Sequence, residues 1–282
     1  MNQSLQIGPL SLPYGVLLTL AAIALGGYVA TRVARGGVAA DRIESTLTSM
    51  MLVGFVSARL AFALQWHEPY VDNPLSILDI RDGGWEPGAG VVAALLFGLY
   101  RGRRQAGLRK PVISAAATTG AVLLLGGVAN LLLASTVVPL PPLSLSSLDG
   151  RAVSLADYVG RPTVINLWAT WCPPCRREMP VLQQAQQANP DVDIVFVNQG
   201  EPAPAIAAYL DREGLALRHV LVDPQNRTGV ALGHRGLPTT LFFDARGRLV
   251  DTRIGELSQA TLDQRLARIR AASSTIQGAP FR

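Results

Sequence analysis

The sequence is poor in side chains that bind transition metals, with two cysteines and three histidines among 282 residues. The cysteines are Cys172 and Cys175, and His67, His219 and His234 lie far apart along the chain. Half of a zinc site has the same Cys-x-x-Cys spacing, but zinc takes four ligands and no second pair exists here. We therefore expect no metal site.

Charged side chains are also scarce, at 16% of the sequence with a net charge of +5. Residues 1–142 carry ten basic and seven acidic side chains, and residues 143–282 carry fifteen and thirteen. No basic patch with interleaved aromatic residues results, so we expect no nucleic-acid partner. The apolar excess lies before about residue 142, and this length has room for about two domains.

Four apolar segments in the N-terminal half predict membrane-spanning helices. Residues 1–31 contain no charged side chain, and a run of about 20 apolar residues crosses a bilayer. A cleaved signal peptide fits less well, because a basic start and a clear cleavage site are both missing. The predicted spans are approximately residues 12–30, 46–66, 88–100 and 111–136.

The loops between these segments differ in charge. Residues 32–44 and 101–110 carry three and five basic side chains, whereas residues 68–86 carry five acids and one arginine, Arg81. Basic loops stay in the cytoplasm by the positive-inside rule, so both termini are expected outside. The cysteines then face an oxidising compartment, as in the bacterial periplasm.

Prolines at positions 139, 141 and 142 mark a stiff, extended segment. We predict a transmembrane domain over residues 1–138, a tether over 139–142 and a second domain over 143–282. In the second domain strands alternate with helices before a hairpin, which predicts an α/β fold with a mixed sheet flanked by helices. The predicted strands are 163–167, 193–198, 220–222, 239–244 and 249–254, and the helices are 172–187, 203–213 and 262–271.

The two cysteines lie between an apolar strand and a helix-forming run. A helix N-terminus stabilises a thiolate through its dipole and free N–H groups, so the pair predicts a redox-active dithiol. Cys172 is expected to be the exposed nucleophile and Cys175 the resolving thiol. A purely structural disulfide is a poor alternative, because a two-residue loop gives little loop-closure stabilisation. This chemistry needs no cofactor.

Around the dithiol the chain reads Asn166-Leu-Trp-Ala-Thr-Trp-Cys-Pro-Pro-Cys-Arg-Arg-Glu-Met-Pro180. This segment resembles the thioredoxin-like, membrane-tethered disulfide reductases of the TlpA/ResA type. Further matches in the same order extend the resemblance over about residues 143–272: Val197-Asn-Gln-Gly-Glu201, Gly236-Leu-Pro-Thr-Thr-Leu-Phe-Phe-Asp244 and Gly247-Arg-Leu-Val250. The resemblance implies a thioredoxin fold in which Pro238 is the cis-proline beside the dithiol.

The resemblance also implies a functional carboxylate at Glu178, which shares a helix face with Cys175. Desolvation would raise its pKa, and its charge would oppose thiol ionisation and accept the proton of Cys175. The alternative is a solvated carboxylate paired with Arg176 or Arg177. The residues implied to contact substrate are Trp171, Pro173, Pro174, Leu237 and Thr239.

A second resemblance rests on motifs in the N-terminal half: Ile7-Gly-Pro-Leu-Ser11, Ala58-Arg-Leu-Ala61, Asn73-Pro-Leu-Ser-Ile-Leu78, Asp82-Gly-Gly84 and Arg101-Gly-Arg-Arg104. These motifs resemble the first part of the prolipoprotein diacylglyceryl transferases, and we extend the likeness over residues 6–138. Gly88 stands where the family has its catalytic histidine, and Gly127 where it has a phosphate-binding arginine. The resemblance therefore implies a degenerate, non-catalytic membrane domain.

Arg59 lies inside the second apolar segment, where a charge is costly and marks a functional hypothesis. The transferase resemblance implies that it binds a lipid phosphate. The alternative is an ion pair with an acid of the 68–86 loop, which need only be structural.

These features predict a membrane-anchored periplasmic thiol–disulfide oxidoreductase that reduces disulfides of envelope proteins. Its expected partners are those proteins, the phospholipid bilayer and a separate membrane electron donor, because the predicted spans contain no cysteine to relay electrons. Three alternatives remain open: an oxidant or isomerase of the same fold, a lipid-modifying transferase with an appended redox domain, and a non-catalytic binding scaffold.

The predicted topology places Cys172 outside the cytoplasmic membrane. A membrane-impermeant thiol reagent is therefore expected to label reduced Cys172 in intact spheroplasts. A Cys172→Ser variant serves as the control for background labelling. Labelling that requires lysis of the inner membrane would reverse the predicted orientation.

Overall fold

The computed structural model describes residues 4–7, 10–34, 39–133, 138–234 and 236–274. Its helices are α1 (Tyr14–Val33), α2 (Ala39–Gln65), α3 (Glu68–Asp72), α4 (Pro87–Arg104), α5 (Ala106–Leu133), α6 (Pro173–Ala188), α7 (Ala203–Glu213), α8 (Arg227–Ala231) and α9 (Gln259–Ser274). Its strands are β1 (Ser4–Ile7), β2 (Leu10–Pro13), β3 (Ser144–Ser147), β4 (Ala152–Ser154), β5 (Thr163–Trp168), β6 (Asp193–Gln199), β7 (Val220–Asp223), β8 (Thr239–Phe243) and β9 (Leu249–Ile254).

Four long helices, α1, α2, α4 and α5, occupy the four segments predicted to span the membrane. Among the described residues, two helical stretches are long and apolar enough to cross a bilayer, Arg42–Gln65 and Ala106–Asn130, and Leu17–Val33 is a shorter apolar helix. Helix α5, the fourth of these long helices, begins five residues before its predicted start. It contains Pro111, whose missing N–H removes one helical hydrogen bond. Its predicted end near residue 136 lies outside the described residues.

Small residues allow the helices of the N-terminal half to approach closely. Helix α1 packs against α5, and α2 packs against α4. A Cβ atom added to Gly90 would lie 2.7 Å from the carbonyl oxygen of Gly54, so these two backbones touch. Such small-residue contacts are typical of helix pairs in membranes.

The C-terminal half contains a seven-stranded mixed sheet in the order β4-β3-β7-β6-β5-β8-β9. The central strands β5, β6 and β7 are parallel, and the other pairings are antiparallel. Helices α6, α7 and α9 supply side chains to the core on one face, and the 155–158 turn supplies Leu155 and Tyr158 to the other. The predicted fold class, a helical domain followed by a thioredoxin-like mixed sheet, is confirmed.

Sequence reasoning missed the β3–β4 hairpin and the short helix α8. Residues of the predicted tether pair with the β8–β9 turn, where the Leu140 N–H donates to the Gly247 carbonyl at 2.8 Å. Leu140 is buried, so this segment packs against the sheet domain. The domain boundaries themselves stay a prediction.

Candidate active site

The dithiol lies where β5 passes into α6. Cys172 is the N-cap of α6, and its Sγ accepts a hydrogen bond from the Cys175 N–H at 3.3 Å. Pro173 occupies the first helical position, where a backbone N–H would have no acceptor within the helix, so proline loses no hydrogen bond there. Cys172 and Cys175 are joined as a disulfide. The sequence thus delivers the nucleophile to the positive end of a helix, which favours its thiolate after reduction.

Both cysteines lie in the apolar core cluster of the sheet domain. Cys172 keeps 3% of its surface exposed and Cys175 keeps none. The prediction that Cys172 is exposed is therefore wrong for the disulfide state, because both cysteines pack among apolar side chains. Of the two cysteines only Cys172 retains any contact with solvent, and its role as the attacking residue stays a prediction.

Glu178 is completely buried one helical turn after Cys175. Asn166 Nδ2 donates to its Oε1 at 2.7 Å, and the Leu257 N–H donates to its Oε2 at 3.1 Å. Desolvation raises the pKa of Glu178 to about 8, and these two hydrogen bonds oppose the rise only in part. Because the carboxyl group is buried, its interpretation as a solvated surface carboxylate is wrong.

The neighbouring arginines have other partners. Arg176 pairs with Glu213 at 3.1 Å, and Arg177 pairs with Glu256 at 2.6 Å. Neither arginine therefore supplies the ion pair that the surface interpretation of Glu178 required.

The Asn166 amide joins Glu178 to the adjacent strand β8. Its Nδ2 also donates to Thr240 Oγ1 at 3.0 Å, while its buried Oδ1 has no partner among the described residues. An amide NH₂ group suits an ionised carboxylate, and a half-turn of the amide would present its oxygen to a protonated carboxyl. Asn166 is thus placed to bind Glu178 in either protonation state.

Glu201 is a site residue that sequence reasoning missed. Its carboxylate accepts from the Thr170 N–H at 2.7 Å, from the Thr170 hydroxyl at 2.5 Å and from Asn198 Nδ2 at 2.8 Å. These bonds hold the loop that immediately precedes Cys172. An acid just after β6, beside the end of the neighbouring parallel strand β5, is the pattern that could have revealed it.

The residues implied to contact substrate differ in exposure. Trp171 is 67% exposed, Pro173 is exposed and Pro174 is half-buried. Leu237 packs against the cluster that contains both cysteines, and the Leu237–Pro238 peptide is cis. The Thr239 side chain is buried, and its hydroxyl donates to the Gly236 carbonyl at 2.7 Å. Trp171 and Pro173 therefore form the accessible part of the set.

Arg59 is buried in the helical half and pairs with Asp82, with Nη1 and Oδ1 3.0 Å apart. Each of its guanidinium nitrogens has at least one partner. The remaining bonds go to the backbone carbonyls of Ser76, Ile77, Asp79 and Gly84. This arrangement favours the ion-pair alternative, because it leaves no nitrogen unpaired for a lipid phosphate.

Comparison with known proteins finds a matching family for each half of the chain. The Redoxin family model matches residues 136–266, and the Prolipoprotein diacylglyceryl transferase model matches residues 3–131. The chain is 34% identical over 132 residues to thiol-disulfide oxidoreductase ResA of Geobacillus thermodenitrificans. The aligned residues are 46% of this chain and 75% of the relative.

The chain belongs, through its C-terminal half, to the ResA-type thiol-disulfide oxidoreductases. It is also 32% identical over 130 residues to thiol:disulfide interchange protein DsbE of Pseudomonas fluorescens biotype C, covering 46% of this chain and 72% of the relative. A solved structure of MTB dsbF is 28% identical, with a TM-score of 0.44, over 48% of this chain and 99% of the other. The two family matches and the ResA and DsbE relatives identify the protein as a thioredoxin-like thiol–disulfide oxidoreductase fused to a transferase-like helical domain.

We predict that Glu178→Gln lowers the pKa values of the reduced cysteines. Only the ionised carboxylate repels thiolates, so the effect is small well below pH 8 and largest above it, because the pKa of Glu178 is about 8. The midpoint of alkylation rate against pH measures the shift. Glu213→Gln is the control, since it changes an acid that pairs with Arg176 at the surface. Superimposable wild-type and Glu178→Gln curves would contradict the prediction.

Proposed function

We propose that this protein is a membrane-anchored periplasmic disulfide reductase that acts on disulfides of envelope proteins. The observation that carries the proposal is the buried carboxyl of Glu178, one helical turn from Cys175. The cysteine pair supplies the chemistry, and the helical domain supplies attachment to the bilayer.

The reaction is a thiol–disulfide exchange in two steps. The Cys172 thiolate attacks one sulfur of the substrate disulfide, which forms a mixed disulfide and releases the other substrate sulfur as a thiolate. The Cys175 thiolate then attacks Cys172 Sγ, which forms the Cys172–Cys175 disulfide and releases the second substrate thiolate. Two electrons pass to the substrate, and Glu178 in its ionised form accepts the proton that Cys175 loses.

Glu178 favours the reducing direction at a pH where its carboxyl group is ionised. A dithiol becomes a strong oxidant when its reduced form is stabilised, chiefly as a thiolate. An ionised carboxylate beside the thiols disfavours that thiolate by like-charge repulsion. The reduced form is then less stable, so the pair gives up electrons more readily.

The helical half supports a multi-pass anchor in the inner membrane. Its helices expose many large apolar side chains, among them Leu64, Leu124, Leu125 and Leu132. A hydrocarbon environment suits such a surface, whereas water does not. Because the helical half contains no cysteine, re-reduction of the disulfide requires a separate electron donor in the membrane.

An oxidant or isomerase of the same fold is the alternative for the redox domain. The oxidant differs from a reductase in the steady state of the dithiol, whereas an isomerase, like a reductase, works with free thiols. Growing cells would hold Cys172 and Cys175 of a reductase as free thiols and those of an oxidant as a disulfide. Alkylation after rapid acid quenching distinguishes the two states.

Replacing the resolving thiol is expected to trap substrates. In Cys175→Ser the mixed disulfide on Cys172 cannot be resolved, so covalent adducts accumulate with periplasmic proteins that contain disulfides. Non-reducing electrophoresis and mass spectrometry identify them. The double variant Cys172→Ser/Cys175→Ser is the control and should form none. Absence of adducts, or adducts with cytoplasmic proteins alone, would contradict the proposal.

The helical domain is expected not to transfer diacylglycerol. Gly88 and Gly127 offer neither a proton-transfer group nor a charge for phosphate, in contrast to the histidine and arginine that the transferase family has at these places. Incubation of the purified protein with phosphatidylglycerol and a prolipoprotein peptide measures the activity. Product above a no-enzyme control would overturn this prediction and favour the bifunctional alternative.

A further inference from the structure

Residues 68–84 of the helical domain, here called the outer loop, touch the redox domain. The contact is polar, and its residues are far apart in sequence. Ser258 donates its hydroxyl to Asp82 Oδ2 at 3.0 Å. Arg253 donates through Nη2 to the Arg81 carbonyl at 2.5 Å. Asp82 and Arg81 belong to the loop between α2 and α4, whereas Arg253 lies in β9 and Ser258 directly before α9.

An apolar contact accompanies these hydrogen bonds. Ala260 of α9 is buried in one cluster with Phe62, Ala63 and Tyr70 of the helical domain. The fit is close, because a Cβ atom added to Gly83 would lie 2.2 Å from Arg253 Nη1. Polar and apolar groups of the two domains are thus packed together over the same small area.

The contact joins the buried ion pair of the helical domain. Asp82 is 6% exposed and accepts from Arg59, from the Gly84 N–H and from Tyr70 as well as from Ser258. Ser258 also accepts from the Thr261 N–H in the first turn of α9. One serine therefore both caps the last helix of the redox domain and bonds the acid of the other domain.

The same segment of chain reaches the active site. Leu257, directly before Ser258, donates its N–H to Glu178, and Glu256 pairs with Arg177 of α6. Hydrogen bonds to Asp79 raise the pKa of Arg81, and the charge of Glu256 across the interface raises it further. Residues 256–258 thus connect the outer loop to the helix that carries the dithiol.

We propose that the outer loop, residues 68–84, is a docking surface for the chain's own redox domain, and that docking holds residues 256–258 against Glu178. Ser258 is then a positioning residue that acts through Leu257. The docked arrangement leaves the dithiol face free, since Trp171 remains 67% exposed. The influence on Glu178 rests on the reductase function proposed above, whereas the docking itself does not.

Two substitutions of Ser258 test the docking. Aspartate and asparagine both cap helices well, so each preserves the start of α9. Ser258→Asp places a carboxylate against Asp82, whereas Ser258→Asn can still donate to it. Loss of this charge-assisted bond weakens docking by about tenfold or more, since such bonds contribute at least ~1.5 kcal/mol.

The full-length protein in lipid nanodiscs is followed by hydrogen exchange and mass spectrometry. We expect Ser258→Asp to accelerate exchange in residues 76–84 and 255–262 about tenfold, and Ser258→Asn to behave as wild type. Exchange in β5 is the control for folding. A substitution in the redox domain changes residues 76–84 only if the domains are docked, so unchanged exchange there would overturn the proposal.

Thiol reactivity tests the link to Glu178 in the same variants. Release of residues 256–258 admits water to Glu178, and desolvation is the largest cause of its raised pKa. The carboxylate then ionises at lower pH, so the alkylation midpoint of the thiols moves to higher pH in Ser258→Asp and stays in place in Ser258→Asn. An unmoved midpoint in Ser258→Asp would overturn the positioning role. Wild-type turnover of a disulfide substrate separately reports the reductase function.

Discussion

A carboxyl group kept from water beside a disulfide is the constraint on which the rest of the site depends. Glu178 has no exposed surface, so each oxygen needs a donor from the protein. Strand β5 provides Asn166, and the turn before α9 provides the Leu257 N–H. The packing of β5, α6 and the 256–258 turn at one point follows from this need, because a missing donor would leave a buried acceptor unpaired.

Two opposing effects act on the thiols, and their magnitudes decide which dominates. The helix N-terminus at Cys172 favours a thiolate by about 0.3–1 kcal/mol. Side chains one turn apart on a helix have Cβ atoms about 5–6 Å apart. An opposite charge within about 4–6 Å shifts a pKa by about 1–3 units, or ~1.4–4 kcal/mol, and a like charge acts with the opposite sign. The helix terminus acts on Cys172, whereas ionised Glu178 acts with the larger magnitude on Cys175, so the dithiol becomes a poorer oxidant as the pH rises past about 8.

Local sequence patterns were enough to predict the helices and strands that have strong hydrophobic periodicity and clear end signals. Helix α7 and strand β9 match their predicted bounds, and Gly214 ends α7 in the left-handed conformation that glycine adopts freely. The β3–β4 hairpin was missed because its serine-rich strands are short and bury little. The dithiol and Glu178 follow from one contiguous motif, whereas Glu201 became a site residue only when β5 and β6 were paired. Contacts created by tertiary pairing have no local pattern.

The ion pair of the helical half shows why the two domains are best understood together. Desolvating a buried arginine and carboxylate costs several kcal/mol per ion, and this cost is offset only when the remaining donors and acceptors are satisfied. The guanidinium of Arg59 finds its partners within its own domain. Asp82 has partners in both domains, since Arg59, the Gly84 N–H and Tyr70 donate to it from its own domain and Ser258 from the redox domain. Undocking would therefore remove one of the donors to Asp82, so the ion pair of the outer loop and the contact between domains share one carboxylate.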